Sequence, residues 1–417
     1  MKPTLAIIGG GASGLCAAVC AGRQGGFRQV LLLERGPRVG KKLLATGNGR
    51  CNLTNRFFSP ENYRCRKGGA PDFVKPAFAA FGLPETLAFF ESLGIVPYEE
   101  EGGKIYPRSL QAAAVLDALR LEAESLGTEI LCETEVTEFR PTAEGFLLLT
   151  PNGRFPANQV LFAAGGPASP KLGGTDSGAK LLSQLGHKIT PFAPSIVQLK
   201  TQTDTIRPLT GIKFTGNVTL RCGKECFTET GEVLFTEYGL SGPPVMQLSC
   251  RAGRMLHQDR KPELFLDMAP EYEEAGLARF LTRRAEERPR VLLENYLVGM
   301  FHKRVGQTAL KAAGIAPLSR EAGSLSAGEI RALAAQLKGW RLPVTGTMGL
   351  ANAQVTAGGA DLSGFYPETL ESKLVPGLFA CGEVLDIDGD CGGFNLQWAW
   401  SSAMLAVRAM GDSCGEK

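Results

Sequence analysis

Residues 4–15 read TLAIIGGGASGL, and this stretch decides the fold. Thr4–Ile8 is a short apolar strand, and the six residues of Gly9–Gly14 match the pattern G-x-G-x-x-G. The small residues after this turn suit a helix packed closely on a sheet, and Gln29–Glu34 is a second apolar strand that ends in an acid. Strand, glycine turn, helix and strand together predict a β-α-β unit that binds a dinucleotide.

The residues of the turn have distinct predicted roles. Gly9 permits the tight turn, Gly11 lets the backbone approach a pyrophosphate, and Gly14 lets the helix pack closely on the strand. The helix N-terminus at Ala12-Ser13 offers free N–H groups to the phosphates. Glu34 lies 20 residues after Gly14 and is expected to accept hydrogen bonds from an adenosine ribose, which favours FAD or NAD(H) over NADPH.

Three later segments favour a flavin over a nicotinamide dinucleotide. Residues 40–52 collect lysines, an arginine, amides and glycines, which can wrap an extended cofactor and neutralise its pyrophosphate. A buried strand ends at Gly382-Glu383, where an acid can bind ribityl hydroxyls, and Gly392-Gly393 opens a last helix whose N-terminus can stabilise a reduced flavin. The predicted site is made from both ends of the chain, and no second glycine turn of this type follows a strand. Together these features predict FAD.

The composition of the chain argues against several other function classes. The 417 residues are 44% hydrophobic and 21% charged, which is enough for a full core. Lys+Arg number 45 and Asp+Glu 42, and this near-balance argues against a protein built to bind nucleic acid. Only three histidines occur, so a histidine-rich metal site or a Ser-His-Asp hydrolase is not expected.

The cellular location is predicted from cysteines and apolar runs. The 11 cysteines are an odd number without a framework spacing, which is typical of reduced thiols in the cytoplasm. No apolar run is long enough for a membrane helix, and the N-terminal apolar run ends in the glycine turn instead of a cleavage site. We therefore expect a cytoplasmic protein without a membrane partner.

The residue composition and pattern change along the sequence and divide the chain into three segments. Residues 1–190 and 341–417 carry the glycine-rich pattern of an α/β fold, here a Rossmann-like FAD-binding domain in two parts. Residues 191–340 form the predicted insertion. It is β-rich over 191–268, with many turn residues, and helical and charged over 269–340.

These segments together resemble the YhiN/BaiN-like group of FAD-dependent oxidoreductases, also called the aminoacetone oxidase family. The resemblance runs in order along nearly the whole chain. Its most specific motifs are LLATGNGRCNLTN at residues 43–55 and GGFNLQWAW at residues 392–400. It implies an FAD domain of the glutathione-reductase type with an inserted β-barrel-like and helical domain.

The motifs and the resemblance also predict which residues contact FAD. The resemblance implies that Val136 lies at the adenine. The chain departs from the family pattern at two places: Asn48 stands where many members have glycine, and Asp390-Cys391 stands where Pro-Thr is more usual. Its substrate preference could therefore differ from that of better-known members. The predicted cofactor-binding residues are Gly9, Gly11, Ala12, Ser13, Gly14, Glu34, Arg35, Lys41, Lys42, Thr46, Gly47, Asn48, Gly49, Arg50, Cys51, Val136, Ala164, Gly165, Gly166, Gly382, Glu383, Asp386, Gly393, Phe394, Asn395, Leu396 and Gln397.

The leading functional hypothesis is an oxidoreductase in which FAD takes hydride from NAD(P)H and reduces a small apolar molecule. Some members of the group it resembles reduce conjugated double bonds of bile-acid intermediates. The alternatives are an oxidase that passes electrons from an amine to oxygen, and an RNA-modifying or non-enzymatic flavoprotein, for which Arg283–Arg290 offers a modest basic cluster. We expect no metal and no nucleic-acid partner. Cys51, Tyr106 and Tyr238 could face a substrate, and none is assigned as the proton donor.

Overall fold

The computed structural model describes residues 2–412. The chain forms two compact units. The first unit joins the N-terminal segment up to Ala193 to the C-terminal segment from Ala353, and the second unit spans Pro194–Asn352. No helix among the described residues is both long enough and apolar enough to cross a bilayer.

The N-terminal segment supplies most of the first unit. Its elements in chain order are β1 (Thr4–Ile8), α1 (Ala12–Gln24), β2 (Gln29–Leu33), β3 (Thr54–Asn55), β4 (Tyr63–Arg64), α2 (Ala70–Ala80), α3 (Leu83–Ser92), β5 (Pro97–Glu100), β6 (Lys104–Pro107), α4 (Ala112–Ser125), β7 (Thr128–Leu131), β8 (Glu138–Thr142), β9 (Gly145–Thr150), β10 (Gly153–Ala157), β11 (Gln159–Phe162), α5 (Ser177–Gln184) and β12 (Ile189–Ser195). Strands β8, β9 and β10 form an antiparallel meander, and β3, β6 and β5 form a second small sheet.

The second unit contains a closed barrel and four helices. Its elements are β13 (Leu199–Thr201), β14 (Lys213–Cys222), β15 (Glu225–Thr236), β16 (Gly239–Ser241), α6 (Pro243–His257), β17 (Glu263–Asp267), α7 (Glu274–Glu287), α8 (Lys303–Ala312), α9 (Ala327–Lys338) and β18 (Trp340–Thr347). The barrel order is β13-β16-β15-β14-β17-β18. Val218, Leu220, Leu264 and Leu266 are buried at alternate positions of β14 and β17, as the interior of a small barrel requires.

The structure corrects two sequence expectations about this unit. The boundary predicted at residue 340 is wrong, because β18 closes the barrel against β13 and β17 and therefore belongs to the second unit. The segment 191–268 is also not strand alone. It contains the 15-residue helix α6, which begins with Pro243-Pro244 in its first turn, where proline needs no N–H partner.

The C-terminal segment returns to the first unit and completes its sheet. It contains β19 (Val355–Ala360), β20 (Leu378–Ala380), β21 (Asp388–Gly389) and α10 (Phe394–Asp412). The central sheet has the order β20-β11-β1-β2-β7 with parallel pairing, and Ile7 pairs with both Leu32 and Leu161. Read from β7, this is the strand order 3-2-1-4-5 of a Rossmann-type sheet, so the predicted α/β fold class with an inserted barrel-like and helical domain is confirmed.

Candidate functional site

A cavity of about 580 Å³ lies in the first unit, at the carboxyl ends of the central parallel strands. Gly9 follows β1, Glu34 follows β2, and Ala163 follows β11, and all three residues line the cavity. The volume is within the usual range for a site that holds a small molecule or cofactor. Open α/β sheets bind their ligands at this edge, which makes the cavity the candidate site.

The glycine turn between β1 and α1 is built by close backbone contacts. Gly9 has φ of 108°, and a Cβ on Gly14 would lie only 1.9 Å from the carbonyl oxygen of Gly9. At Gly11, by contrast, no atom among residues 2–412 lies within 4 Å of where a Cβ would be, chain neighbours aside. The turn therefore packs tightly on the strand side and leaves the backbone of Gly11 bare on the cavity side.

Glu34 is fixed by the backbone on both sides of it. Gly10 N–H donates to its Oε2 at 2.8 Å, and Gly36 N–H donates to its Oε1 at 2.6 Å. Each carboxylate oxygen retains acceptor capacity toward the cavity, which Glu34 lines. The carboxylate is thus pre-oriented at the end of β2, where a hydroxyl donor in the cavity can reach it.

Lys42 and Glu383 form an ion pair at the cavity wall. Lys42 Nζ donates to Glu383 Oε2 at 2.7 Å, and the N–H of Thr356 donates to Oε1 at 2.7 Å. The two side chains are 29% and 21% exposed, so the pair is partly shielded from water. The charge of Lys42 is directed at Glu383 in this structure, whereas the sequence analysis assigned it to a pyrophosphate.

Many of the predicted cofactor-binding residues come together on the cavity wall. They belong to five segments of the chain: the glycine turn, the end of β2 with the loop after it, the end of β11, the segment after β20, and the start of α10. The predicted residues that line the cavity are Gly9, Gly11, Ala12, Ser13, Glu34, Arg35, Lys41, Lys42, Thr46, Ala164, Gly165, Gly166, Glu383, Asn395 and Leu396.

Other predicted residues are not part of the cavity lining, and their contact with FAD stays a prediction. Some lie one layer behind the wall, in the core or in the turn after Thr46. The predicted residues outside the lining are Gly14, Gly47, Asn48, Gly49, Arg50, Cys51, Val136, Gly382, Asp386, Gly393, Phe394 and Gln397.

Buried hydrogen bonds explain two of these departures. Asp386 is 2% exposed and accepts a hydrogen bond from the N–H of Gly358, so it holds the backbone of β19. Burial raises its pKa. Gln397 is fully buried, where its Oε1 accepts from Thr54 Oγ1 at 2.5 Å and its Nε2 donates to Thr86 Oγ1 at 2.9 Å.

Two further departures lie in the hydrophobic core. Cys51 is fully buried, and burial raises the pKa of its thiol to about 12, so the thiol is neutral and packed away from the cavity. Val136 is 5% exposed and belongs to the core cluster, while its neighbour Glu135 lines the cavity. The contact of Val136 with the adenine stays a prediction.

The turn between Thr46 and Cys51 has an unusual backbone. The φ angles of Gly47, Asn48, Gly49 and Cys51 are 56°, 57°, 83° and 59°. Four left-handed residues within five positions are rare, and such clusters are typical of functional sites. The conformation also accounts for Asn48, because asparagine is the side chain that best replaces glycine in this region.

The motifs did not identify several residues of the cavity wall. Arg38 and Gly36 come from the loop after β2, Leu172 from a short turn after β11, and Gln354 from the residues just before β19. Gly173-Gly174, beside Leu172, was the available signal. Gln354 carried none, because it enters the site only where the chain returns from the second unit.

The cavity fits an FAD molecule on the evidence of its own atoms. The bare backbone at Gly11 and the N-terminus of α1 would hold the pyrophosphate, and Glu34 would hold the adenosine ribose. The N-terminal turn of α10 also lines the cavity, through Asn395 and Leu396. Bound there, FAD supplies two-electron hydride chemistry.

The chain is similar to known proteins along nearly its whole length. Residues 3–409 match the family model described as HI0933-like protein Rossmann domain. The chain is 38% identical over 406 residues to the 3-dehydro-bile acid delta(4,6)-reductase of Clostridium scindens, covering 97% of this chain and 98% of that protein. It is 31% identical over 407 residues to the ribosomal RNA dihydrouridine synthase of Escherichia coli, covering 96% of each.

A solved structure shows the same fold at low sequence identity. The 3-ketosteroid delta1-dehydrogenase of Sterolibacterium denitrificans superposes with a TM-score of 0.50 at 11% identity, covering 99% of both chains. This likeness concerns the fold alone. The family match and the two full-length relatives show that the chain belongs to the HI0933-like Rossmann family, the YhiN/BaiN-like FAD-dependent oxidoreductases.

Proposed function

We propose that this protein uses NAD(P)H, through FAD, to reduce a carbon–carbon double bond conjugated to a carbonyl group in a small, largely apolar molecule. The observation that carries the proposal is the 38% identity, across 97% of the chain, to a reductase of 3-dehydro bile acids. A 3-oxo-Δ4,6 bile acid, or a planar polycyclic enone of similar size, is the proposed substrate class.

The two kinds of relative share one chemistry, which supports the reaction type. The bile-acid reductase acts on double bonds conjugated to a ring ketone. Dihydrouridine differs from uridine by two hydrogens across a double bond conjugated to a ring carbonyl. Both reactions add a hydride to one carbon and a proton to the other. The proposal therefore concerns the class of bond that is reduced. The two relatives differ in the molecule that contains this bond, which is a bile acid in one case and ribosomal RNA in the other.

The charges of this chain favour a small molecule over RNA. The Lys+Arg and Asp+Glu totals of 45 and 42 leave a formal net charge of only +3. Glu99, Glu100 and Glu101 stand together on an open groove in the first unit, beside Arg50 and Lys104. Binding an RNA backbone depends on clustered unpaired cations, and an acidic run opposes it. A cytoplasmic location, where nicotinamide is available as a donor, stays a prediction.

Anaerobic rapid mixing tests the proposal directly. The purified holoprotein is mixed with NADH or NADPH, and the visible flavin absorbance is followed. We expect fast loss of the absorbance with one of the two donors, and its recovery when a 3-oxo-Δ4,6 bile acid is added. Absence of bleaching by both donors rejects the proposed donor, and failure of the bile acid to restore the absorbance rejects the proposed substrate.

Two further arms of the same experiment examine the alternatives. Bleaching by an amine, followed by rapid reoxidation with oxygen, would support an oxidase instead. Incubation of the reduced protein with protein-free ribosomal RNA, followed by dihydrouridine analysis, examines the function named for the Escherichia coli relative. We expect no dihydrouridine above background and no salt-dependent RNA binding.

A further inference from the structure

Reduction of a conjugated double bond needs a proton donor, and the cavity wall offers few candidates. Among the described residues the wall contains no histidine, tyrosine or cysteine. His187 is buried, stacked on Phe365 and bonded to Ser372 Oγ at 2.9 Å, so it serves the core. Lys42 and Glu383 neutralise each other. Side chains beside the wall are therefore candidates for the proton donor as well.

Tyr106 stands beside the left-handed turn that follows the cavity-lining Thr46. Its ring packs on Gly47, where a Cβ would lie 3.1 Å from the ring edge. The residue is 4% exposed and also borders an open groove of about 620 Å³. Cys391, just before the Gly392-Gly393 turn that opens α10, is near enough to affect the pKa of Tyr106. Tyr106 thus contacts one predicted flavin segment at Gly47 and lies near Cys391, beside the other.

Arg50 and Glu100 hold the hydroxyl of Tyr106 in a defined state. The guanidinium of Arg50 lies 4.4 Å from the centroid of the Tyr106 ring, and its Nη2 donates to the hydroxyl oxygen at 3.3 Å. Nη1 of Arg50 donates to both carboxylate oxygens of Glu100, at 2.9 Å and 3.1 Å. The forked guanidinium is therefore fixed from one side by an acid and presents its other side to the phenol.

The proton of the Tyr106 hydroxyl has no acceptor among the described residues. The oxygen accepts from Arg50, and no residue within 2–412 accepts a hydrogen bond from the hydroxyl. Burial raises the pKa of Tyr106, which keeps the phenol protonated at neutral pH, while the charge of Arg50 acts in the opposite direction. Arg50 thus stabilises the phenolate that proton transfer would create, and this stabilisation grows as the transfer proceeds.

We propose that Tyr106 is the general acid of the reduction, with Arg50 and Glu100 as its positioning residues. This inference rests on the proposed function. Bound and reduced FAD would supply the hydride, with its electron pair, that the substrate's β carbon needs. The O–H bond of Tyr106 breaks, and its proton forms the new C–H bond at the α carbon. The phenolate then takes a proton from solvent, so two electrons and two hydrogens reach the double bond.

The test removes only the hydroxyl. In Tyr106→Phe the ring remains, so its packing on Gly47 and beneath Arg50 is kept. Wild type and variant are reduced with dithionite under anaerobic conditions, which makes the test independent of the nicotinamide donor. Each is then mixed with a 3-oxo-Δ4,6 bile acid and, separately, with ferricyanide, which takes electrons without a proton on carbon.

We expect Tyr106→Phe to be reoxidised by the bile acid roughly 100- to 10,000-fold more slowly than the wild type, the usual contribution of a general acid. Reoxidation by ferricyanide should be unchanged. Tyr366→Phe is the matched control, because Tyr366 is 49% exposed and lines none of the described cavities. Arg50→Lys and Glu100→Gln should give intermediate rates with the bile acid and normal rates with ferricyanide.

Three results would overturn the assignment, and they are distinguishable. If the variant reduces the bile acid as fast as the wild type, Tyr106 is not the donor and the proposed function stands. If the wild type itself transfers no electrons to the bile acid but does so to ferricyanide, the proposed function fails and the assignment fails with it. Equal slowing with both acceptors would show a structural defect and would also reject the assignment.

Discussion

At the scale of single residues, Glu34 shows how a carboxylate can serve the backbone and a ligand together. It accepts N–H groups from Gly10 and Gly36, so its orientation is set before any ligand arrives. Hydrogen bonds to a charged acceptor contribute about 1.5–3 kcal/mol each, which is appreciable for both the turn and the cofactor. Replacing the acid therefore disturbs two interactions that use the same atoms.

We expect Glu34→Arg to weaken FAD binding roughly 10- to 100-fold, from the loss of a charged hydrogen bond and of the fixed turn. The ratio of visible to ultraviolet absorbance after purification measures the occupancy, and titration of the apoprotein measures the affinity. Glu91→Arg, an exposed acid on α3, is the control. Full FAD occupancy in Glu34→Arg would contradict the placement of the ribose.

Asn48 provides a second prediction, on backbone strain. Its φ of 57° and ψ of 43° are left-handed, and its side chain is exposed. For an ordinary L-residue this conformation costs about 1–2 kcal/mol, and the cost is lower for asparagine. Asn48→Ala should lower the free energy of unfolding by about 1 kcal/mol, whereas Asn48→Gly should not lower it. Urea denaturation of the apoproteins measures both, and equal stability of the two variants would contradict the strain.

Residue types and spacing could predict the cavity wall only where the backbone itself forms the site. The glycine turn and Glu34 belong to this class, because their positions follow from the β-α-β unit. Asp386 and Gln397 do not, since both are polar residues near the site whose side chains turn inward to buried partners. Side-chain direction depends on tertiary neighbours, and a single sequence does not contain that information.

At the scale of elements, the contact between β1 and α1 determines whether the cavity exists. A Cβ on Gly14 would meet the carbonyl oxygen of Gly9 at 1.9 Å, and backbone cannot move aside as a side chain can. We expect Gly14→Ala to shift α1 away from the sheet, lowering the melting temperature and reducing FAD occupancy after purification.

The matched control for this prediction is Gly26→Ala. Gly26 follows α1, and no atom of residues 2–412 lies within 4 Å of its Cβ position, chain neighbours aside. Its melting temperature and FAD content should equal those of the wild type. A comparable loss of melting temperature and FAD content in both variants would mean that any alanine near α1 is harmful. That result would contradict the prediction that the close contact at Gly14 is the cause.

Helices and strands with a clear hydrophobic pattern were predictable from the sequence. Those whose residues indicate a turn and a helix at once were not. The central strands are short apolar runs between turn residues, which identifies them without a structure. Helix α6 was missed because Pro243, Pro244 and nearby glycines and serines indicate turns, although the prolines occupy the first helical turn. Strand β18 was assigned to the wrong domain because its pairing partners are more than 70 residues away in sequence.

At the scale of the whole molecule, the two units have separate hydrophobic cores. The core of the second unit joins barrel residues such as Leu264 to helix residues such as Leu281 and Leu333, all fully buried. The unit is one continuous segment, Pro194–Asn352, and its size is ample for an independent core. Such a unit meets the physical requirements for folding alone.

We therefore predict that residues 194–352, produced as a separate protein, fold into a cooperative domain that binds no FAD. Circular dichroism with a thermal melt measures the first property, and the visible spectrum after incubation with FAD measures the second. Tryptophan emission from Trp340, which is 1% exposed, reports the core. A broad melt with solvent-exposed tryptophan emission would contradict the independence of this unit.

The ion pair between Lys42 and Glu383 has a consequence for biosynthesis. The two residues are 341 positions apart, and the rest of the cavity wall extends to Ala399. Chains are made from the N-terminus at about 5–20 residues per second, and domains that are complete can fold while synthesis continues. The inserted barrel can therefore fold on the ribosome, whereas the flavin pocket closes only when translation is nearly finished. Cofactor loading is accordingly a late step, and a truncated chain that lacks α10 leaves the ribosome with an open pocket.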